Sequence, residues 1–222
     1  EEDDDGAGDS DVVDVTVDET AADQTVTVAD SALPATDPDG GTTDRTESDA
    51  NINIDITQQA GVGGDSDTLT LSLVGETLND LDATQYETVN LSSDGLAGTS
   101  NTVGNNTDFN SATTVTITGE RDLTINSLNT EESDKANDVL PVVDASELSG
   151  DLDLTLDNDS GEGILDVTAG SGNDTVTVQG LDSDDKLDGG SGDDELVATG
   201  VSGDLGEIGL EGFETLQLQI AE

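Results

Sequence analysis

The residues best suited to bind a ligand lie between positions 169 and 197, where glycine and aspartate recur at fixed spacing. Residues 189–197 read GGSGDDELV and fit the nonapeptide template G-G-x-G-x-D-x-U-x, in which U is a large aliphatic residue, at every fixed position. Two partial copies precede this one. Residues 169–177 (AGSGNDTVT) lack only the first glycine, and residues 180–188 (GLDSDDKLD) keep the first glycine, the aspartate and the leucine.

The positions of this nonapeptide are those that a calcium site requires. Glycines permit positive φ in a tight turn and allow carbonyl groups to face a cation, and the aspartate adds a charged oxygen. Calcium takes six to eight oxygen ligands at about 2.3–2.6 Å, which is more than one such turn offers. In a coil with two strands per turn, the first and third copies stack on one edge, so Asp174 and Asp194 share an ion between their turns. Asp185, from the second copy, is expected on the opposite edge with at most a partial partner.

Short alternating runs that are typical of strands surround the nonapeptides. From residue 51 onward, aliphatic residues recur at every second position between segments rich in Gly, Asn, Asp and Ser. In the second half of the chain these runs lie near positions 115, 123, 142, 153, 165, 176 and 196. Such intervals fit either antiparallel hairpins or the rungs of a parallel coil. Tight Asn-Gly or Asp-Gly turns, which hairpins prefer, do not join these runs, so the coil is favoured.

The sequence therefore predicts an all-β fold, a right-handed parallel β-helix or β-roll with calcium-binding turns, over residues 51–222. Residues 1–50 are predicted to be an acidic N-terminal segment with short strands at Val13–Val17 and Val26–Val28. Its last part, residues 34–50, has almost no apolar content and is interpreted as a linker.

Three segments have other interpretations. Between Leu73 and Glu87 the i, i+3 spacing of Leu78 and Leu81 favours one or two helical turns. The acidic segments 37–39 and 157–159 resemble fragments of calcium loops but lack the full spacing and the final Glu of an EF-hand. We interpret both acidic segments as solvated loops.

The composition restricts the partners of this 222-residue chain, which has 53 acidic and 4 basic side chains and a net charge of −49. Self-repulsion on this scale destabilises a compact state unless salt or bound cations offset it. Four basic residues form no patch for phosphates, so nucleic acid and anionic membranes are not expected partners. His, Cys, Met and Trp are all absent, which leaves ligands suited to hard, oxygen-binding cations. No apolar run approaches the roughly 20 residues that cross a bilayer, so no membrane insertion is expected.

Catalysis is not expected from these residues. Without His or Cys, and with two Lys, most nucleophile and general-base arrangements are absent. A carboxylate pair can hydrolyse glycosides, but the three aromatic residues leave little for sugar stacking.

The nonapeptide segment resembles the RTX repeats of type-I-secreted bacterial proteins. More narrowly, residues 65–222 are similar to calcium-bound surface-layer proteins and to large surface adhesins that carry such repeats. The stretches that support the narrower likeness are 86–91 (YETVNL), 115–119 (VTITG), 122–125 (DLTI), 143–146 (VDAS) and 212–216 (GFETL).

The resemblance implies a calcium-stabilised β-roll that is exported without a cleaved N-terminal signal and folds on meeting extracellular calcium. The ligands that it implies are aspartate carboxylates and glycine carbonyls: Gly170, Gly172, Asp174, Gly190, Gly192 and Asp194. Asp185 is a further candidate ligand, although its copy has lost two glycines. Because the chain begins with Glu1 and not Met, we interpret it as a processed product or a fragment.

The expected function is that of an extracellular, cell-surface structural protein that binds calcium and assembles into a layer or filament. Its expected partners are calcium ions, further copies of itself and a cell-surface glycan. Two alternatives remain: a repeat domain that calcium stiffens in a large adhesin, and a secretion and folding module of an exported enzyme.

Overall fold

The computed structural model describes residues 12–20, 23–29, 51–58, 66–109, 111–129, 142–156, 165–181, 183–201 and 208–220. These residues form 17 strands and no helix, and hence no helix that could cross a membrane. The strands are β1 (Val12–Thr20), β2 (Gln24–Ala29), β3 (Asn51–Gln58), β4 (Thr68–Val74), β5 (Thr77–Thr84), β6 (Thr88–Asp94), β7 (Ser100–Asp108), β8 (Thr114–Gly119), β9 (Asp122–Asn129), β10 (Val142–Leu148), β11 (Leu152–Leu156), β12 (Asp166–Thr168), β13 (Thr175–Gln179), β14 (Lys186–Asp188), β15 (Glu195–Val201), β16 (Gly209–Glu211) and β17 (Thr215–Ile220).

Successive strands alternate between two parallel sheets. The odd-numbered strands form one sheet in the order β1-β3-β5-β7-β9-β11-β13-β15-β17, which we call the odd sheet. The even-numbered strands form the other in the order β16-β14-β12-β10-β8-β6-β4-β2, which we call the even sheet. All of these pairings are parallel. The chain is therefore a β-solenoid with two strands per turn, and the prediction of an all-β parallel coil is confirmed.

The alternation of side chains explains both the strands and their register. In β4 the residues Leu69, Leu71 and Leu73 are buried, whereas the residues between them are half-exposed. Leu69 pairs with Val89 and Leu71 with Leu91 of the next rung, so apolar side chains stack in columns between the two sheets. A slip of one residue would turn each column outward, and burial of one face therefore fixes the register.

The predicted strands of the N-terminal segment are present as β1 and β2. β1 pairs with β3 and β2 pairs with β4, so they continue the same two sheets as the strands after residue 50. The predicted linker at residues 34–50 and the acidic segments 37–39 and 157–159 lie outside the described residues.

The prediction of helical turns between Leu73 and Glu87 is wrong, because β5 occupies this segment. Leu78 and Leu81 are both fully buried although a regular strand would place residues three apart on opposite faces. The pairing of β5 with β3 and with β7 skips Asn79, which is the extra residue of a β-bulge. The bulge shifts the alternation by one residue and produces the i, i+3 spacing that suggested a helix.

Candidate metal centre

The first and third nonapeptides lie one above the other where the chain passes from the even sheet to the odd sheet. Their turns, residues 169–174 and 189–194, precede β13 and β15, which pair in register with an offset of 20 residues. The Ser191 N–H donates to the carbonyl oxygen of Gly170 at 3.0 Å and connects the two turns directly. The motif aspartates of the two copies therefore occupy equivalent positions in adjacent rungs.

The stacking of these turns requires glycine at two positions. Gly190 and Gly192 have φ of +83° and +149°, a region that residues with a Cβ rarely adopt. A Cβ at Gly190 would also collide with the carbonyl oxygen of Gly170, and one at Gly192 with that of Gly172. The close approach thus leaves main-chain carbonyl oxygens between the turns.

Asp174, the aspartate of the first copy, is 1% exposed. Its Oδ1 accepts a hydrogen bond from Leu152 N–H at 2.8 Å, and its Oδ2 accepts one from Gly170 N–H at 2.9 Å. Burial raises the pKa of Asp174 above its ordinary value, the two N–H donors oppose that rise, and the negative charge of Asp194 adds to it. Both carboxylate oxygens of Asp174 are therefore satisfied within the protein.

Asp194, the aspartate of the third copy, is equally buried but less well satisfied. Its Oδ1 accepts from Asp174 N–H at 2.7 Å, whereas its buried Oδ2 has no hydrogen-bond partner. Burial raises the pKa of Asp194, the hydrogen bond from Asp174 N–H opposes that rise, and the nearby carboxylates of Glu214, Asp193 and Asp188 add to it. A buried carboxylate oxygen without a donor is costly, so this atom requires a further partner, either a hydrogen-bond donor or a cation.

Asp185, the aspartate of the second copy, lies on the other edge of the solenoid, directly before β14 of the even sheet. It is 2% exposed, and its Oδ1 accepts from Leu165 N–H at 2.8 Å. The register of β12, β14 and β16 places Leu165 and Ile208 at the equivalent positions of the neighbouring rungs. Asp185 is therefore not brought together with the other two motif aspartates, and its neighbours in this column are apolar.

Hydrogen bonds connect the turns in a series that we call the inner ladder. In it, a backbone N–H of one turn donates to a side-chain carboxylate of the next turn. The donors and acceptors are Leu152 N–H to Asp174, Asp174 N–H to Asp194, and Asp194 N–H to Glu214. The last bond, to Glu214 Oε2, is 2.8 Å long. The sequence reasoning missed Glu214, although the spacing of 20 residues that separates Asp174 from Asp194 separates Asp194 from Glu214.

A second series, the outer ladder, runs in the opposite direction along the same edge. Here a backbone N–H of one turn donates to a side chain of the turn before it. The donors and acceptors are Asp151 N–H to Asp122 at 3.0 Å, Asn173 N–H to Asp151 at 2.7 Å, and Asp193 N–H to Asn173 at 3.1 Å. These side chains are exposed, whereas the aspartates of the inner ladder are buried. Of the two ladders, only the inner one contains buried carboxylates, those of Asp174 and Asp194.

The residues of this edge fit a hard cation. The candidate side-chain ligands Asp174 and Asp194 are carboxylates, the stacked glycines leave carbonyl oxygens between the turns, and one buried carboxylate oxygen is unpartnered. Within the described part of the chain, no three His, Cys, Asp or Glu side chains converge into a metal-holding group. A cation bound here would therefore need main-chain carbonyls to complete its coordination shell.

Comparison with known proteins gives no match: neither a family model, nor a curated protein, nor a solved structure is significantly similar to this chain.

Proposed function

We propose that the protein is an extracellular calcium-binding structural protein, a module of a self-assembling surface layer or filament. The observation that supports the proposal most strongly is the stacking of two glycine turns around the buried carboxylates of Asp174 and Asp194. A turn pair built only for structure has no need to bury two like charges, since each costs free energy in the interior.

The proposed ion is held by the carboxylates of Asp174 and Asp194 and by carbonyl oxygens of the four glycines, Gly170, Gly172, Gly190 and Gly192. When bound, calcium supplies two positive charges that keep both carboxylates ionised in a buried position. The chain's own residues set the geometry: the glycines allow the turns to approach, and the backbone N–H groups orient the carboxylates.

The solenoid architecture supports a structural role for such ions. In a solenoid each rung contacts only its neighbours, so an interaction between two turns stabilises the strands on both sides of it. With a net charge of −49, cations that neutralise interior carboxylates also reduce the self-repulsion of the whole chain.

A second candidate is a calcium-stiffened repeat domain of a large adhesin. Within the described residues, β1 and β17 stand at the two ends of the odd sheet, and each pairs with one strand. Such edges suit end-to-end contact between copies, and they equally suit continuation into further rungs of one longer chain. Light scattering separates these two candidates. The third alternative, a folding module of an exported enzyme, requires a catalytic domain in the same protein.

The test is a calcium titration of the purified chain from micromolar to tens of millimolar, followed by circular dichroism and light scattering. We expect the strand signal to rise with calcium and scattering to report ordered assemblies. A chain that gains its strand signal but stays monomeric favours the adhesin candidate. Equal strand signal in chelator at the same ionic strength contradicts the calcium proposal. Magnesium is the control cation, because it keeps its waters and prefers octahedral geometry.

A further inference from the structure

The first and third nonapeptide turns differ in how they use one backbone N–H group. In the first turn, Gly170 N–H donates to Asp174 Oδ2 at 2.9 Å. In the third turn, the equivalent Gly190 N–H donates to Asp188 Oδ1, also at 2.9 Å. Asp188 thus takes the donor that would satisfy Asp194, and Asp194 Oδ2 is left buried without a partner.

The cause is a single side-chain difference in the even sheet. Asp188 pairs in register with Thr168, which occupies the same position one rung earlier. Thr168 brings no carboxylate to the first turn, whereas Asp188 brings a second one to the third turn. Two carboxylates there compete for one N–H, so the third turn has one charged acceptor more than its donors can satisfy.

The surplus charge faces the next turn, residues 211–214, which lies outside the nonapeptides. A Cβ placed on Gly212 would lie 2.7 Å from Asp188 Oδ1, so the Asp188 carboxylate lies against the backbone of this turn. The Gly189 N–H donates to the carbonyl oxygen of Glu211 at 2.9 Å, and Asp194 N–H donates to Glu214 Oε2. The third turn and the turn after it are thus as closely stacked as the first and the third.

The basic side chains of the described residues do not offset this charge. Lys186 pairs with Asp166 at 3.8 Å on the outer face of the even sheet, and Arg121 pairs with Glu120 at 3.4 Å. The carboxylates of Glu214, Asp193 and Asp188 act on Asp194 in the same direction as burial, toward the protonated form. A cation is the partner that this arrangement lacks.

We propose a second calcium site, between the third nonapeptide turn and the turn at residues 211–214. Asp188 and Asp194 supply carboxylate oxygens, main-chain carbonyls of the two turns complete the shell, and Glu214 holds the Asp194 backbone in place. Asp194 then serves two ions, with Oδ1 toward the first-copy turn and Oδ2 toward the new site. The inference shares calcium with the proposed function, but it depends on Asp188, which that function does not use.

The variant D188T tests the site, because threonine is the residue that the first copy has at this position. D188T returns the Gly190 N–H to Asp194 Oδ2 and removes the surplus carboxylate. In chelator we therefore expect D188T to melt at a higher temperature than the unmodified chain. In calcium we expect the order to reverse, because D188T lacks one bound ion.

The control is D144T, which removes a carboxylate from the same column of the even sheet. Asp144 pairs with Thr116 and Thr168, two rungs away from the third turn. The measurement is calcium stoichiometry by equilibrium dialysis on the full chain, together with thermal unfolding in chelator and in calcium. D188T should bind one calcium ion fewer than the unmodified chain, and D144T the same number.

The variant D174N, which keeps an oxygen acceptor for Leu152 N–H, reports separately on the site of the proposed function. If D188T binds as many ions as D144T, the second site is overturned and the proposed function stands. If D188T loses one ion and D174N loses none, the second site stands and the first is overturned. If the unmodified chain binds no calcium, both are overturned, and if D174N fails to fold, D188T against D144T still decides the second site.

Discussion

Two regions of the solenoid share one topology but differ in what stabilises them. The long-strand region, residues 66–129, has strands of six to nine residues (β4–β9) and contains the largest buried side chains, Tyr86 and Phe109. The short-strand region, the described part of residues 165–214, includes three strands of only three residues, β12, β14 and β16. Shorter strands bury fewer apolar groups per rung, so the turns must contribute more of the stability.

One column of residues along the odd sheet makes this difference concrete. The same register position is occupied, in successive rungs, by Asn101 of the long-strand region and then by Leu123, Leu152, Asp174 and Asp194. Asn101 Oδ1 accepts from Glu76 N–H at 2.7 Å, and its Nδ2 donates at 2.8 Å and 3.0 Å to groups of the same turn. A neutral amide is thus satisfied by the protein alone, whereas the aspartates at the same position carry a buried charge. The same position is therefore filled in two ways, by a fully hydrogen-bonded neutral amide in the long-strand region and by buried carboxylates in the short-strand region.

The outer face of the even sheet differs in the same way. In the long-strand region its outward residues are uncharged apart from Asp94 at the end of β6, and they include Thr68, Thr70, Ser72, Thr88, Asn90, Ser92, Thr114, Thr116 and Thr118. In the short-strand region the outward residues include Asp166, Lys186 and Asp188. On the even sheet, acidic side chains are therefore more frequent where the strands are shortest.

Removal of calcium tests this comparison with the largest expected effect. At calcium 100-fold above its Kd, each site stabilises the folded state by about 2.7 kcal/mol, a factor of about 100 in the opening equilibrium. We expect chelation to lower amide-exchange protection by at least that factor in β13–β15, and to leave β4–β9 nearly unchanged. The measurement is hydrogen exchange with peptide resolution, with and without chelator at constant ionic strength. An equal loss of protection in both regions would show that calcium does not act through these turns.

The sequence was enough to predict most of the strands and the stacking of the first pair of turns, because both depend on local pattern, but β5 was predicted as helical turns. Alternation fixes which side chains face the core, and the glycine template fixes the spacing between Asp174 and Asp194. The rest of the column could not be predicted, because the turns between Asn101, Leu123 and Leu152 differ in length. Glu214 follows a turn without the glycine template, and the competition between Asp188 and Asp194 for one N–H depends on positions in space alone. The bulge at Asn79, which produces a helix-like spacing of leucines, likewise depends on how the strands pair and not on local pattern.

A glycine pair sharpens the comparison at the level of the turns. Both Gly192 in the short-strand region and Gly98 in the long-strand region have positive φ, at +149° and +87°. A Cβ at Gly98 meets nothing within 4 Å, whereas one at Gly192 collides with the carbonyl oxygen of Gly172. We expect G192A to lower the free energy of unfolding by about 3 kcal/mol and to weaken calcium binding, since overpacking forces the turns apart.

The matched variant G98A carries the cost of positive φ without a collision. We expect it to lose about 1 kcal/mol and to bind calcium as the unmodified chain does. Chemical denaturation in calcium and in chelator measures both variants. If G98A and G192A lose the same amount, the close stacking of the turns contributes nothing to stability.

The smallest expected effect concerns a column of aspartates on the outer face of the odd sheet, which includes Asp82 of the long-strand region. Asp82 pairs in register with Asp55 on one side and Asp108 on the other. Burial raises the pKa of Asp82, the carboxylates of Asp108, Asp55 and Asp80 raise it further, and a hydrogen bond from Asn106 opposes them. Like charges directly opposite each other in neighbouring strands are destabilising by about 0.5 kcal/mol.

The sign of the pH dependence follows from that direction. Because folding raises the pKa of Asp82 above its ordinary 3.8, the ionised side chain destabilises the folded chain at neutral pH, and the penalty disappears as pH falls below that value. We therefore expect D82N to be more stable than the unmodified chain by about 0.5 kcal/mol at pH 7 and equally stable near pH 3. The control D144N removes a carboxylate whose register neighbours, Thr116 and Thr168, are uncharged, and it should show no such difference. High salt should reduce the advantage of D82N, because solvent ions screen the repulsion from Asp108, Asp55 and Asp80 but do not remove the cost of burying the charge. An advantage of D82N that persists at pH 3 would mean that the substitution acts through packing and not through charge.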